Sequence, residues 1–149
     1  MTFVIKTADE SVSSSTVLQA DNHLKFTADA LALYEVVFVL GVDGHTGGDI
    51  KLGFDMPFDS EFDGFAFGPT LGAASDDQLR RVSLNWYAGD GDTVSFGTLG
   101  TSTRSPIYIR GSLRTGNAGG DFGLEWAQNV SNATSTRVKY RSYLRADSV

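Results

Sequence analysis

His23 and His45 are the only imidazoles the chain offers as general bases. A nucleophilic triad needs a hydroxyl, a base and an acid that orients the base. His45 sits in Asp43-Gly44-His45-Thr46-Gly47-Gly48, a turn composition, and His23 precedes a short strand. Neither has a strand-turn-helix nucleophile elbow beside it. The chain has no Cys, which removes disulfides, thiolate metal sites and a thiol nucleophile. Carboxylates are so plentiful that pairs for glycoside hydrolysis can be drawn anywhere, and none is singled out. Asp59-Ser60-Glu61-Phe62-Asp63-Gly64 imitates the start of a calcium loop, but Thr70 stands where the bidentate Glu belongs and the flanks are not helical. Asp90-Gly91-Asp92 reads as a tight turn before it reads as a metal site. Gly116-Asn117-Ala118-Gly119-Gly120 has no helix after it to receive a phosphate. Asn129-Val130-Ser131 and Asn132-Ala133-Thr134 fit the glycosylation sequon, which matters only for a secreted eukaryotic chain. No catalytic residue, metal site or cofactor is expected.

Residues suited to binding are easier to find. Arg137, Lys139, Arg141, Tyr143 and Arg145 alternate along one run, so as a single strand they all project to one face. Solvated cations blunt an edge strand against aggregation; the same cations form a docking face for an acidic partner. Tyr87 and Tyr143 fall on polar faces, where they can stack a sugar or pack into a subunit interface rich in Tyr and Arg. Trp86 and Trp126 fall on apolar faces and belong in the core. The predicted partner-binding residues are Arg137, Lys139, Arg141, Tyr143, Arg145 and Tyr87.

The formal net charge of the 149 residues is −6. Residues 1–92 carry −10 and residues 93–149 carry +4, which suits an assembly device pairing basic with acidic patches. The acidic balance argues against a nucleic-acid partner. No apolar run approaches the ~20 residues of a membrane span; the longest, from Ala30 to Val42, is broken by Tyr34, Glu35 and Gly41. The opening residues lack the basic start and apolar stretch of a signal peptide.

These residues must be held by strands. Gly, Ser, Thr and Asn make up 50 of 149 residues, leaving little sequence for long helices. Residues 81–87, 106–110, 122–126 and 137–145 alternate with period two, the mark of half-buried strands. Phe3 to Lys6, Leu24 to Thr27 and Ile50 to Phe54 are further strands, and Leu31 to Val42 is a central strand buried on both faces. One helical turn is expected over residues 27–32. Residues 55–78 are expected to be irregular, with Phe58, Phe62, Phe65 and Phe67 plugging the end of a sandwich. Eight or nine strands with short turns predict one all-β domain over residues 1–149, an antiparallel jelly-roll-like β-sandwich. Thr2 to Ser15 is expected as an N-terminal arm that reaches a neighbour by strand addition.

The two ends of the chain carry a resemblance. Ile5-Lys6-Thr7-Ala8-Asp9-Glu10-Ser11-Val12, then Ser15 to Phe26, resembles the opening of small structural proteins of tailed bacteriophages, with Tyr34 following in the next strand. Gly111-Ser112-Leu113, Phe122 to Asn129 and Thr134 to Leu144 resemble their ending, where an Ala-Gln pair follows an aromatic strand, as Ala127-Gln128 does here. The resemblance covers about 80 residues at the two ends of the chain and leaves the middle unmatched. It implies a non-enzymatic virion surface protein made in the host cytoplasm: a head decoration or cement protein, homotrimeric, docked on the major capsid protein or another virion protein. The alternative it implies is a tail-tip or fibre domain recognising host glycan or protein. A carbohydrate-binding module of non-viral origin is a third reading.

Overall fold

The computed structural model describes residues 1–75 and 77–149. The described residues form strands and turns without a helix. In chain order the strands are β1 (Thr2–Ile5), β2 (Glu10–Val12), β3 (Gln19–Ala28), β4 (Leu33–Gly44), β5 (Ile50–Asp55), β6 (Glu61–Pro69), β7 (Leu79–Tyr87), β8 (Val94–Phe96), β9 (Gly100–Arg114), β10 (Gly120–Ala127), β11 (Thr136–Val138) and β12 (Tyr143–Ser148).

Pairing follows a simple rule. Every strand runs antiparallel to its mirror image in chain order: β1 with β12, β2 with β11, β3 with β10, β4 with β9, β5 with β8 and β6 with β7. The chain is one long antiparallel ribbon whose turn lies between β6 and β7. Rolling that ribbon gives two sheets, a larger one ordered β1-β12-β4-β9-β6-β7 with the β2–β11 pair beside β4, and a smaller one ordered β3-β10-β5-β8. The quartets β1-β12-β4-β9 and β3-β10-β5-β8 are the two halves of a jelly roll; the β6–β7 hairpin widens the larger sheet past β9. The fold is thus the expected all-β sandwich, with twelve strands rather than eight or nine.

The core lies between the sheets. From the larger sheet, alternate residues of β4 (Tyr34, Val36, Phe38, Leu40, Val42) turn inward with Ile107, Ile109, Leu113, Phe62, Leu84 and Trp86. They meet Leu24, Phe26, Leu52, Phe122, Leu124 and Trp126 of the smaller sheet. Phe54 packs edge-on against Phe62 and Trp86, with ring centroids 4.9 and 5.1 Å away. Trp126 is fully buried and Trp86 nearly so, as their apolar faces predict. β4 lies inside the larger sheet, and Val37 on its far face is itself covered.

Four expectations change. Residues 61–69 form strand β6 instead of an irregular plug. Phe62 turns inward, Phe65 and Phe67 turn outward, and Phe58 stays 83% exposed. Residues 27–32 hold no helical turn, because β3 runs to Ala28 and Leu31 takes φ +54°, outside the helical region. The run 137–145 is two strands, with Arg141 at φ +66° in the turn between them. Residues 2–12 lie within the fold, hydrogen-bonded to β12 and β11 of the same chain.

Candidate functional site: the outer face of the larger sheet

Cross-strand partners in an antiparallel pair share a face, so the register places every outward residue of the larger sheet. One row runs Ile5, Tyr143, Val39, Tyr108, Phe67, Arg81 across β1, β12, β4, β9, β6 and β7. The next runs Phe3, Arg145, Val37, Arg110, Phe65, Ser83. A third carries Asp147, Glu35, Ser112, Asp63 and Asn85. The fourth carries Leu33, Arg114, Glu61 and Tyr87. Eight of the twelve residues in the first two rows are therefore aromatic or branched apolar, on the side that faces away from the core.

These side chains touch one another. Phe3 and Tyr143 lie with centroids 5.2 Å apart, and Phe65 packs on Phe67 at 5.4 Å and on Tyr108 at 6.4 Å. The Arg81 guanidinium sits 5.4 Å from the Phe65 centroid, within cation–π range. Phe3 is 52% exposed, Ile5 44% and Phe67 40%. Apolar surface of this extent on the outer face of a sandwich marks a place where something binds. Next to Phe65 the surface sinks into a depression of about 330 Å³ lined by Leu33, Glu35, Asp63, Phe65, Arg110 and Val149. Close approach of β6 and β9 accompanies it: a Cβ on Gly64 would meet Arg110 O at 2.3 Å, so only glycine fits there.

The charges on this face are mostly neutralised within it. Arg110 contacts Glu35, and Arg114 Nη2 lies 2.6 Å from Glu61 Oε2. The Arg114 bond, then one from Tyr87, holds Glu61 below its usual range. Arg145 Nε is 3.0 Å from Asp147 Oδ2, near enough for attraction but not aligned as a hydrogen bond. Such exposed pairs contribute little stability; their effect is to leave the face apolar in character without a net field.

The six residues singled out from sequence divide into two groups. Tyr143 and Arg145 lie inside the apolar rows and Tyr87 at the corner of the face. Arg137, Lys139 and Arg141 lie at its upper edge. Arg137 makes a bidentate pair with Asp43, at 2.7 and 2.9 Å, which holds the guanidinium above its usual range. Lys139 reaches Asp9 at 2.6 Å and Asp43 at 3.6 Å. Asp9 is held low first by that Lys139 bond and then by the Tyr140 backbone N–H. Arg141 lies 5.3 Å from the Tyr140 ring centroid, with no carboxylate partner among the described residues. Of the four cations that alternate in the sequence, Arg137 and Lys139 are thus paired with acids distant in the chain.

Sequence reasoning missed Phe3, Ile5, Val37, Val39, Tyr108, Phe65 and Phe67 as members of this face. The alternation Phe65-x-Phe67 was the available signal, and Phe62 on the opposite face obscured it. The histidines and acidic motifs go elsewhere. His45 Nδ1 accepts a bond from Gly47 N at 3.0 Å within its turn. Glu61 and Asp63 stand along a strand roughly 6.6 Å apart, two strand steps, instead of converging as calcium ligands.

A second polar cluster is buried. Lys6 Nζ lies 2.8 and 2.7 Å from the two Asp21 carboxylate oxygens and 2.9 Å from Glu10 Oε2. Asp21 also accepts from the His23 and Leu24 backbone N–H groups, both at 2.9 Å, and from Trp126 Nε1 at 3.2 Å. Burial works to raise the Asp21 carboxyl, but Lys6 and the two backbone donors outweigh it and hold it low. Glu10, Asp21 and His23 converge closely enough to ligate a metal; the Lys6 ammonium occupies that position instead.

No family model and no curated protein matches the chain. Solved structures similar to it include the structure of infectious bursal disease virus Gt strain, with 10% identity and a TM-score of 0.23 over 99% of this chain and 42% of that one. The Gx strain structure has 11% identity and a TM-score of 0.22, over 97% and 38% of the two chains. The crystal structure of the infectious bursal disease virus VP2 subviral particle has 9% identity and a TM-score of 0.22, over 98% and 41%. The chain spans about two fifths of the length of those chains. The likeness adds nothing to the β-sandwich already described.

Proposed function

We propose that this chain is a non-enzymatic virion surface protein, a trimeric head decoration or cement protein that docks on the capsid shell and stabilises it. The observation that carries the reading is the outer face of the larger sheet. Tyr143, Tyr108, Phe3, Phe65 and Phe67 with Arg81 and Arg145 form the aromatic and Arg-rich composition of interface hot spots. The resemblance of both chain ends to tailed-phage structural proteins supplies the context. Binding of this kind needs buried area and shape, and the internally paired charges of the face suit burial because few are left uncompensated. The partners are two further copies of the chain and a capsid protein.

The test is cosedimentation with capsid shells that lack the protein, using Phe65→Ser/Tyr108→Ser and Arg141→Glu/Arg145→Glu variants. Folded variants that no longer bind support the reading; wild-type binding by the Phe65→Ser/Tyr108→Ser variant sinks it. Sedimentation equilibrium of the free protein checks the trimer, and a monomer at micromolar concentration removes that part.

A second reading, a tail-tip or fibre domain that binds host glycan, is favoured by one observation. The depression beside Phe65 joins an aromatic platform to Arg110, Glu35 and Asp63. Glycan-array binding lost on Phe65→Ser, together with labelling of particles at the tail instead of the head, would establish it over the first.

A further inference from the structure

The Lys6 cluster has the makings of a chemical reaction. Lys6 and Asp21 side chains have no contact with solvent, and Glu10 has little. The backbone of Lys6 is fixed by two bonds, Lys6 N to Ser142 O at 2.8 Å and Arg141 N to Lys6 O at 2.9 Å. Amine and carboxyl therefore face each other at contact distance in a site closed to bulk solvent. We propose that Lys6 and Asp21 condense to an intramolecular amide, Nζ to Cγ, with Glu10 moving the protons.

Each step uses a group already in place. Proton transfer inside the buried pair gives an amine and a carboxylic acid, both neutral: the minor form beside the ion pair but the one that reacts, and burial lowers the cost of reaching it. The fold has already fixed the orientation of the reactants, and well-oriented intramolecular reactions reach effective molarities of roughly 10⁵–10⁸ M. After the Asp21 carboxyl turns about its Cβ–Cγ bond, Nζ attacks Cγ. Negative charge develops on Oδ1, beside the His23 and Leu24 backbone N–H groups that hold it at 2.9 Å before the turn. Glu10, 2.9 Å from Nζ, takes a proton from the nitrogen and delivers it to Oδ2. Oδ2, held by Trp126 Nε1, leaves as water.

The balance closes without a co-reactant. Of the three ammonium hydrogens one stays on the amide nitrogen and two leave with Oδ2. The N–C bond forms, the C–O bond breaks, the positive and negative charges cancel, and Glu10 ends as the carboxylate it began as. The product closes a loop between residues 15 apart in sequence and ties the end of β1 covalently to β3.

Mass spectrometry of the denatured full-length protein tests this directly. The wild-type chain is expected one water lighter than its sequence, with a protease-resistant link between the Lys6 and Asp21 peptides. Lys6→Arg is expected at full sequence mass. This variant separates the amide from dehydration at Asp-Gly steps such as Asp43-Gly44 and Asp90-Gly91, which also loses water. Glu10→Gln, folded by circular dichroism, is expected at full mass. Wild type at full sequence mass after prolonged incubation overturns the proposal. So does a one-water loss that persists in Lys6→Arg, and a one-water loss in Glu10→Gln removes Glu10 from the chemistry. None of these outcomes bears on the docking face.

Discussion

Asp21 accepts five hydrogen bonds, from Lys6 on both oxygens, from two backbone N–H groups and from Trp126. At the residue scale this makes it the most committed side chain among the described residues. Relative to the uncondensed chain, Asp21→Ala leaves the buried Lys6 ammonium with Glu10 and a long 3.4 Å contact to His23 Nδ1, and breaking a buried pair from one side costs about 3–5 kcal/mol. By contrast Arg110→Ala, on an exposed pair, is expected to change stability by no more than about 1 kcal/mol. Urea unfolding of the two variants checks the contrast. Asp9 sits below the ordinary 3.8 in the folded chain. Its contribution is therefore fully present above that value and is lost as pH falls through the folded value. Thermal unfolding temperature is expected to hold from neutral pH to about pH 4 and then drop, with a shallower drop in Lys139→Gln. Glu125 has the opposite sign, because burial and then Asp55 push it up. Its ionised form costs stability at neutral pH, so Glu125→Gln is expected to stabilise at pH 7 and to lose that advantage on acidification.

At the element scale the joint between β11 and β12 is the informative one. From Val138 to Tyr143 the chain takes five steps while its partner β4 takes three, from Val42 to Val39. The two extra residues are accommodated by the Ser142 hydroxyl, which accepts from the buried Gly41 N–H at 2.9 Å. Ser142→Ala leaves that N–H without a partner and is expected to cost about 1–3 kcal/mol in denaturant unfolding. The same joint explains what the sequence conceals. An insertion of two preserves the parity of an alternating pattern, so Arg137, Tyr143 and Arg145 still share a face although they belong to two strands. Val82, Leu84 and Trp86, opposed by polar residues, announced β7 correctly. β6 stayed hidden because Phe62 faces in while Phe65 and Phe67 face out, and Gly64 occupies an inward position where a strand pattern expects bulk. No local signal could pair Lys139 with Asp9 or Arg137 with Asp43, since those contacts exist only after the ends of the ribbon meet.

At the scale of the whole molecule the charge asymmetry of the sequence is dispersed by the ribbon. Arg114 shares the end where β6 begins with Glu61, and Asp43 and Asp9 share the opposite end with Arg137 and Lys139. The nested pairing also sets how the molecule folds. Apart from the β6–β7 hairpin, each pair joins strands more distant in sequence than the last, so the topology is dominated by non-local contacts. Refolding is expected on the millisecond-to-second scale typical of such topologies, which stopped-flow fluorescence of Trp86 and Trp126 can follow.

Because β1 and β12 are antiparallel neighbours, Thr2 lies opposite Ala146 and the two chain ends leave from the same edge of the sheet. A force that draws those ends apart loads the hydrogen bonds of the outermost pair one after another, never all together. The ribbon is then a zipper under tension, mechanically weak whatever its thermodynamic stability. Peeling from the N-terminal side would stop at residue 6, where Lys6 is anchored through Asp21 to β3.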